Sequence, residues 1–230
     1  MRTRSSSPIQ KMSQAVVWLD AMEANMAKLY FRYGTVGSAK TLNLLAVAHN
    51  YRQQGKKVLL MTPDLDVRFG RGAIKSRTGL EMQADVLIVD ETSLQGVNYE
   101  GVSCILVDEV QFLLPSVIDA FRDITLEHNI PILCYGLRTN FKSLLFNGSR
   151  RLMELADAIE EVKATCYYCN RKSVVNLKRV NGRAVSEGPD IELGTEEKYL
   201  PTCFKCYRKE LADSAGGSAL SSGTHLAGVR

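Results

Sequence analysis

The sequence predicts an α/β fold in which helices flank a parallel sheet, followed by a smaller unit that carries paired cysteines. Apolar segments typical of strands alternate with helical segments from residue 28 to about residue 163. These strands are nearly continuous apolar runs, as expected for a parallel sheet that is covered on both faces. Beyond this region, two Cys-x-x-Cys pairs indicate a second unit that binds metal.

The composition suits a protein that handles anions. The chain has 230 residues, of which 45% are hydrophobic, and a formal net charge of +4. This charge is well below that of a nucleic-acid-binding domain, and no apolar run approaches the roughly 18 residues of a membrane span. We therefore expect a cytoplasmic protein without nucleic-acid or membrane partners, whose cysteines are reduced or bound to metal.

The two ends of the chain differ from its centre. Residues 1–25 are rich in Ser, Arg and Gln, and Met26 opens directly into the first strand. We expect this leader to be disordered or not native, with a weak helix near 12–24 as an alternative. Residues 211–230 are mainly small and polar, which predicts a disordered tail.

The first strand, 28–33, leads into a loop that nearly matches the phosphate-binding pattern Gly-x-x-x-x-Gly-Lys-Thr/Ser. Gly34 fits the first position, Lys40 and Thr41 fit the last two, and Ala39 replaces the second glycine. An alanine is tolerated here if its φ is negative and is strained if its φ is positive. The predicted phosphate-binding residues are Gly34, Thr35, Val36, Gly37, Ser38, Ala39, Lys40 and Thr41.

This loop has the properties that a phosphate chain requires. Small residues let backbone N–H groups approach the anion, and the helix that follows presents its positive end to it. Lys40 can reach the phosphates, and Thr41 can offer a hydroxyl group to Mg²⁺. The alternative interpretation is an ordinary turn with a solvated lysine.

The next elements continue the alternation of strands and helices. A helix is predicted at 40–54, because Gly55 is a typical residue after a helix end. A strand at 57–62 follows. Residues 69–79 contain three glycines and several basic residues, which predicts a mobile cationic loop, either solvated or closing over phosphates. Further along the chain, we predict a helix ending near 128, a strand at 130–137 and a helix at 149–159.

Two apolar runs end in an Asp–Glu pair. A nucleotide-binding sheet needs an acid at the end of a strand to hold the water shell of Mg²⁺. We choose Asp108–Glu109, because a helix and another apolar strand follow it, and we expect Asp90–Glu91 to be surface acids. Since ligands bind at the carboxyl ends of parallel strands, residues 34–41, Asp66, Asp108–Glu109 and 138–141 should meet at one edge.

The paired cysteines have the spacing of a tetrahedral zinc site in a cytosolic protein, with disulfides as the alternative. A closed site of four thiolates is structural, so we expect the metal to fix the base of the loop 170–202. Cys104 and Cys134 lie in apolar strands and are expected to be ordinary core residues. The predicted ligands are Cys166, Cys169, Cys203 and Cys206.

These motifs together resemble one known family, the type II, zinc-containing thymidine kinases, and in particular the bacterial ones. The resemblance covers residues 26–210. It implies a P-loop kinase core at 26–163 and a zinc-containing lasso subdomain at 164–210. The segments that carry it are MAKLYFRYGTVGSAKT, Asp66-x-Arg68, Ser76–Arg77–Thr78–Gly79, ILVDEVQF, CYGLRTNF, Phe146–Gly148–Ser149 and the cysteine pairs that flank Lys198–Tyr199.

The resemblance also implies an activity and roles for residues. The family transfers the γ-phosphate of ATP to the 5′-hydroxyl group of thymidine, with Glu109 matching its general base and Asp108 holding Mg²⁺ with Thr41. Around ATP and the metal it adds Asp66, Arg68 and Gln111. Around thymidine it places Leu137, Phe141, Ile191, Leu193, Gly194 and Tyr199. The family is typically homotetrameric and is inhibited by thymidine triphosphate (dTTP).

Two alternatives remain open on the sequence. A P-loop ATPase with a zinc ribbon could act as a nucleic-acid-binding module, which would need a basic stripe with interleaved aromatic residues. The candidate stripe is 68–77, which contains Phe69 as its sole aromatic residue. A kinase for another deoxynucleoside would carry the same motifs, because the choice of base depends on the shape of the pocket.

Overall fold

The computed structural model describes residues 26–189 and 198–216. Its strands are β1 (Leu29–Tyr33), β2 (Lys57–Pro63), β3 (Ala73–Lys75), β4 (Glu81–Gln83), β5 (Val86–Ile88), β6 (Val102–Val107), β7 (Ile132–Gly136), β8 (Ala158–Glu161), β9 (Val175–Val180), β10 (Arg183–Val185) and β11 (Tyr199–Thr202). Its α-helices are α1 (Lys40–Gln53), α2 (Pro115–His128), α3 (Asn147–Leu155) and α4 (Phe204–Gly216).

The main sheet contains six strands in the order β5-β2-β6-β7-β1-β8, and every neighbouring pair is parallel. Side chains of β6 alternate between two cores: Ile105 and Val107 face one, and Cys104 and Leu106 face the other. Residues of α2 and α3 complete the first core, and residues of α1 complete the second. The predicted parallel sheet with helices on both faces is thus confirmed.

A smaller antiparallel sheet follows, in the order β10-β9-β11. The turn between β9 and β10 is Asn181–Gly182, and both residues have positive φ, as a two-residue hairpin of type I′ requires. Tyr207 of α4 packs against Val175 and Leu177 of β9 to form a separate small core. Cys104 and Cys134 are buried in the main sheet, as predicted.

Three predicted boundaries were wrong. The segment 69–79 is not a simple loop, because β3 pairs with β4 in a hairpin whose Ile74 is buried against α1. The helix predicted at 149–159 ends at Leu155, and residues 158–161 form the edge strand β8. The change of direction is fixed by Asp157, whose carboxylate accepts a hydrogen bond from the N–H of Leu29 at 2.8 Å.

The third correction concerns the end of the chain. Helix α4 extends to Gly216, so residues 211–216 are helical and not part of a disordered tail. The other residues of the predicted leader and tail lie outside the described residues. Within the described part of the chain, no helix has the length and apolar character needed to cross a bilayer.

Gly148 controls the contact between α3 and the short 3-10 turn Val110–Phe112. A Cβ atom at this position would overlap the carbonyl oxygen of Val110 and lie 2.8 Å from that of Leu113. We therefore predict that Gly148→Ala lowers the free energy of unfolding by about 1–3 kcal/mol, as overpacking usually does. Urea denaturation measures this. Arg150→Ala, at an exposed position of the same helix, should change stability by less than about 0.5 kcal/mol. Equal stability of the two variants would show that the contact tolerates a Cβ atom.

Candidate active site

A cleft of about 230 Å³ lies at the carboxyl ends of the central strands β2, β6, β7 and β1. Most of the described residues predicted for the site line it: Val36, Gly37, Ala39, Lys40, Thr41, Asp66, Arg68, Asp108, Glu109, Gln111, Leu137, Phe141 and Tyr199. The other members of the 34–41 loop, Gly34, Thr35 and Ser38, are buried behind this surface. Ile191, Leu193 and Gly194 lie outside the described residues.

The loop between β1 and α1 is folded around its own lysine. The Nζ atom of Lys40 donates hydrogen bonds to the carbonyl oxygen of Thr35 at 2.8 Å and to Oγ of Ser38 at 3.3 Å. Gly34 is required by close approach, since a Cβ atom there would lie 2.5 Å from the carbonyl oxygen of Val162. The loop therefore forms a compact turn that holds a buried ammonium group at the start of a helix, which is the arrangement that binds phosphates.

Ala39 occupies a conformation that favours glycine. Its φ is 64° and its ψ is 27°, in the left-handed region. The sequence leaves open whether this alanine is strained, and the positive φ answers that question. A left-handed conformation costs an L-residue about 1–2 kcal/mol. The missing glycine of the phosphate-binding pattern thus leaves the shape of the loop intact at a cost in backbone energy.

Thr41 and Asp108 meet at the first turn of α1. The hydroxyl group of Thr41 donates a hydrogen bond to Oδ2 of Asp108 at 2.9 Å. Burial and the neighbouring charge of Glu109 raise the pKa of Asp108 to about 7. A hydroxyl group and a buried carboxylate are oxygen donors of the kind that Mg²⁺ prefers, and a cation beside them would favour the ionised carboxylate.

Arg68 joins two carboxylates at the centre of the cleft. Its guanidinium group donates two hydrogen bonds to Asp66, at 2.7 and 2.8 Å, and one to Oε1 of Glu109 at 2.5 Å. The amide nitrogen of Gln111 donates to the second oxygen of Glu109, and its carbonyl oxygen accepts the N–H of Leu137 at 2.9 Å. Both carboxylate oxygens of Glu109 are therefore held by side chains, one from the segment after β2 and one from the 3-10 turn after β6.

These contacts decide the charge of Glu109. Burial alone would raise the pKa of its carboxyl group, but the positive charges of Arg68 and Lys40 and the hydrogen bonds from Arg68 and Gln111 outweigh burial and lower the pKa. Glu109 is therefore ionised at neutral pH and can accept a proton or a hydrogen bond. Its backbone is also left-handed, with φ 50°, as residues at functional sites often are.

An aromatic pocket forms part of the same cleft as Glu109 and the 34–41 loop. The rings of Phe141 and Tyr199 lie 6.3 Å apart between centroids, and the Nζ atom of Lys178 lies 4.7 Å from the centre of the Phe141 ring. The hydroxyl group of Tyr207 donates to the carbonyl oxygen of Phe141 at 2.7 Å. A flat ring held between such side chains would gain stacking contacts.

The four predicted cysteine ligands form a cluster apart from this cleft. Their sulfur atoms all lie within 4.8 Å of one another, and Cys169 lies 3.7 Å from both Cys203 and Cys206. Tetrahedral zinc with bonds of about 2.3 Å places its sulfur ligands about 3.8 Å apart, so the spacing fits a metal better than disulfides. Although burial opposes it, backbone N–H groups lower the pKa of Cys166 to about 7, which favours a thiolate.

The sequence profile for thymidine kinase matches residues 27–207. A thymidine kinase from Lactococcus lactis is 41% identical over 186 residues, which cover 80% of this chain and 98% of the relative. A thymidine kinase from Streptococcus gordonii is 42% identical over 187 residues, which cover 80% of this chain and 97% of the relative. The chain belongs to the thymidine kinase family.

Membership of the thymidine kinase family assigns thymidine phosphorylation to this chain and confirms the resemblance drawn from its motifs. A solved structure of the Pif1 helicase from Candida albicans aligns with this chain at a TM-score of 0.38 and 11% identity. The alignment covers 70% of this chain and 40% of the helicase chain. This similarity is too low to support the alternative of a nucleic-acid-binding P-loop ATPase.

The cleft contains several polar and aromatic residues that the sequence did not indicate. Asn176 is the one with a recognisable signal, because it is a polar residue among the apolar neighbours Val174, Val175 and Leu177 of a predicted strand. Thr62 lies near the end of β2 and Phe112 lies in the 3-10 turn after β6, where the sequence pattern gives no indication of side-chain direction. The additional lining residues are Thr62, Phe112 and Asn176.

The strain at Ala39 can be measured against a matched control. We predict that Ala39→Gly raises the free energy of unfolding by about 0.5–1 kcal/mol, because the relief of left-handed strain exceeds the added flexibility of the unfolded chain. The same change at Ala46, an exposed position inside α1, should lower it by about 1 kcal/mol. Urea denaturation compares the two. Losses of equal size at both positions would show that Ala39 is not strained.

Proposed function

We propose that this chain transfers the γ-phosphate of ATP to the 5′-hydroxyl group of thymidine with Glu109 as the general base. The proposal rests on one observation. The ionised carboxylate of Glu109 lies in the same cleft as the 34–41 loop and the aromatic pocket. Phosphoryl transfer needs alignment of the reactants, neutralisation of charge and one proton acceptor. These three elements are present within one cleft.

The triphosphate of ATP would lie along the 34–41 loop. The start of α1 lines this space, so its backbone N–H groups would bind phosphate oxygens, and Lys40 would exchange its hydrogen bonds to the loop for bonds to phosphate oxygens. Thr41 and Asp108 would hold Mg²⁺, which when bound neutralises part of the phosphate charge. Arg68 would keep Asp66 and Glu109 in position beside the transferred group.

Glu109 would accept the proton in the transfer step. The O–H bond of the 5′-hydroxyl group breaks and its proton moves to the carboxylate. The freed oxygen forms a bond to the γ-phosphorus atom, while the bond from that phosphorus to the bridging oxygen of ADP breaks. Each carboxylate oxygen has two acceptor directions, so Glu109 can receive the hydroxyl group while it keeps its bonds to Arg68 and Gln111.

Thymidine would bind in the aromatic pocket. Phe141 and Tyr199 would contact the flat base, and Leu137 and Phe112 would line the space between the base and Glu109. The family resemblance adds backbone contacts from the lasso, where Ile191, Leu193 and Gly194 lie. Discrimination between thymidine and other deoxynucleosides would depend on the shape of this pocket.

The four cysteines would hold a structural zinc ion. Their tetrahedral spacing supports this assignment, and four protein ligands leave no open position for catalysis. By family resemblance we further propose a division into a kinase core (26–163) and a lasso subdomain (164–210), a homotetrameric assembly, inhibition by dTTP and a cytoplasmic location.

The base role predicts a separation between binding and turnover. Glu109→Gln should lower kcat for thymidine by about 100-fold or more, the usual contribution of a general base, while the Kd for ATP stays unchanged. Formation of thymidine monophosphate and calorimetric titration with ATP measure these. Glu91→Gln, at an exposed acidic position after β5, is the matched control and should retain full activity. A fully active Glu109→Gln enzyme would remove Glu109 from the base role.

The zinc assignment predicts different results for two classes of cysteine. Cys203→Ser should lose bound zinc and lower Tm by at least about 5 °C, equivalent to about 2 kcal/mol for a chain of this size. Cys104→Ser, within β6, should keep its zinc. Elemental analysis and thermal unfolding measure both. Full zinc content in purified Cys203→Ser would exclude Cys203 as a ligand.

A further inference from the structure

The small sheet and the segment that leads into it contact the 34–41 loop through two hydrogen bonds. Oδ1 of Asn176, in β9, accepts the backbone N–H of Val36 at 2.9 Å. The hydroxyl groups of Thr35 and Ser173 lie 2.8 Å apart. Asn176, Ser173 and Thr35 are all buried, with side chains at most 8% exposed. Two adjacent loop residues are thus bonded to β9 and to the segment just before it, outside the six-stranded sheet that carries the loop.

The direction of the second bond follows from the surroundings of Ser173. The Oγ atom of Ser173 donates to the carbonyl oxygen of Ala164 at 3.0 Å, which uses its single hydrogen. The hydroxyl group of Thr35 must therefore donate to Ser173. The carbonyl oxygen of Thr35 accepts a hydrogen bond from the ammonium group of Lys40 at 2.8 Å. Thr35 therefore links Ser173 to Lys40, the lysine of the phosphate-binding pattern.

Asn176 and Ser173 are themselves held by segments that lie next to the predicted cysteine ligands. Asn176 lies opposite Pro201 in the ladder of β9 and β11, and β11 ends at Thr202, directly before Cys203. The N–H and Oγ groups of Ser173 both bond to Ala164, which precedes Cys166 by two positions. Both tethers therefore begin close to cysteine ligands on different segments of the chain.

We propose that Asn176 and Ser173 are positioning residues that hold the 34–41 loop in the shape that receives ATP. The small sheet, which adjoins the cysteine ligands, then affects phosphate binding as well as the nucleoside pocket that Tyr199 of β11 lines. This inference rests on the proposed function, in which the loop binds the triphosphate. Asn176 acts through the backbone of Val36, and Ser173 acts through Thr35.

Asn176→Ala tests the first tether. It should raise the Kd and the KM for Mg·ATP about fivefold, the equivalent of one hydrogen bond, and leave the KM for thymidine unchanged. Arg183→Ala, at an exposed position of β10, should change none of these values. A rise in the KM for thymidine alone, or no change in a folded protein, would overturn the proposal.

Lys40→Ala separates this inference from the proposed function. If Lys40→Ala binds ATP as well as the unaltered protein does, the 34–41 loop does not bind phosphates. The proposed role of Asn176 in ATP binding then fails as well. If Lys40→Ala weakens ATP binding and Asn176→Ala does not, the tether alone is wrong. The expected result is weaker ATP binding in both variants.

A double-mutant cycle tests the second tether and does not depend on Asn176. Thr35→Val and Ser173→Ala should each raise the Kd for ATP. The Kd of the double variant should be no higher than the higher of the two single-variant values. Thr35→Ser keeps the hydroxyl group and should restore binding, which a general packing defect would not allow. Losses that multiply in the double variant would show that the two hydroxyl groups do not act through each other.

Discussion

The contact of Arg68 with Asp66 and Glu109 is the interaction on which the rest of the site depends. It places one guanidinium group between two carboxylates in a cleft where all three side chains are at most 16% exposed. Removal of one partner from such a group leaves a charge that is buried and uncompensated, which is far costlier than the loss of an exposed ion pair. The same contact keeps Glu109 ionised and, together with Gln111, fixes the direction of its carboxylate.

The sheet order explains why these groups can meet. β2, β6, β7 and β1 are neighbours, and their carboxyl ends lead respectively to Asp66, Asp108–Glu109, Leu137 and Gly34. Residues that are far apart in sequence therefore share one edge, as in other open parallel sheets. The small sheet adds Tyr199 and Asn176 to the cleft that the 34–41 loop and Phe141 also line. The chemistry of the site is a consequence of this layered arrangement.

Much of this arrangement follows from local patterns. Continuous apolar strands, the small-residue loop and an acidic pair after β6 predict the sheet, the phosphate side and the acid at Glu109. Other features depend on tertiary contacts. The φ of Ala39 is decided by the path from the loop into α1, the β3–β4 hairpin depends on burial of Ile74, and β8 exists because Asp157 bonds to β1. The proposed role of Asn176 could not be predicted, because the sequence pattern does not show which loop contacts its sheet.

The claim that Arg68 and Glu109 act as one unit can be tested by a double-mutant cycle on the rate of thymidine monophosphate formation. The cycle compares Arg68→Met, Glu109→Gln and the double variant at saturating ATP and thymidine. If Arg68 acts by holding Glu109, the double variant will be no slower than the slower of the two single variants. If Arg68 acts independently, for example on a phosphate oxygen, the two losses will multiply, and that result would contradict a joint role for the two side chains.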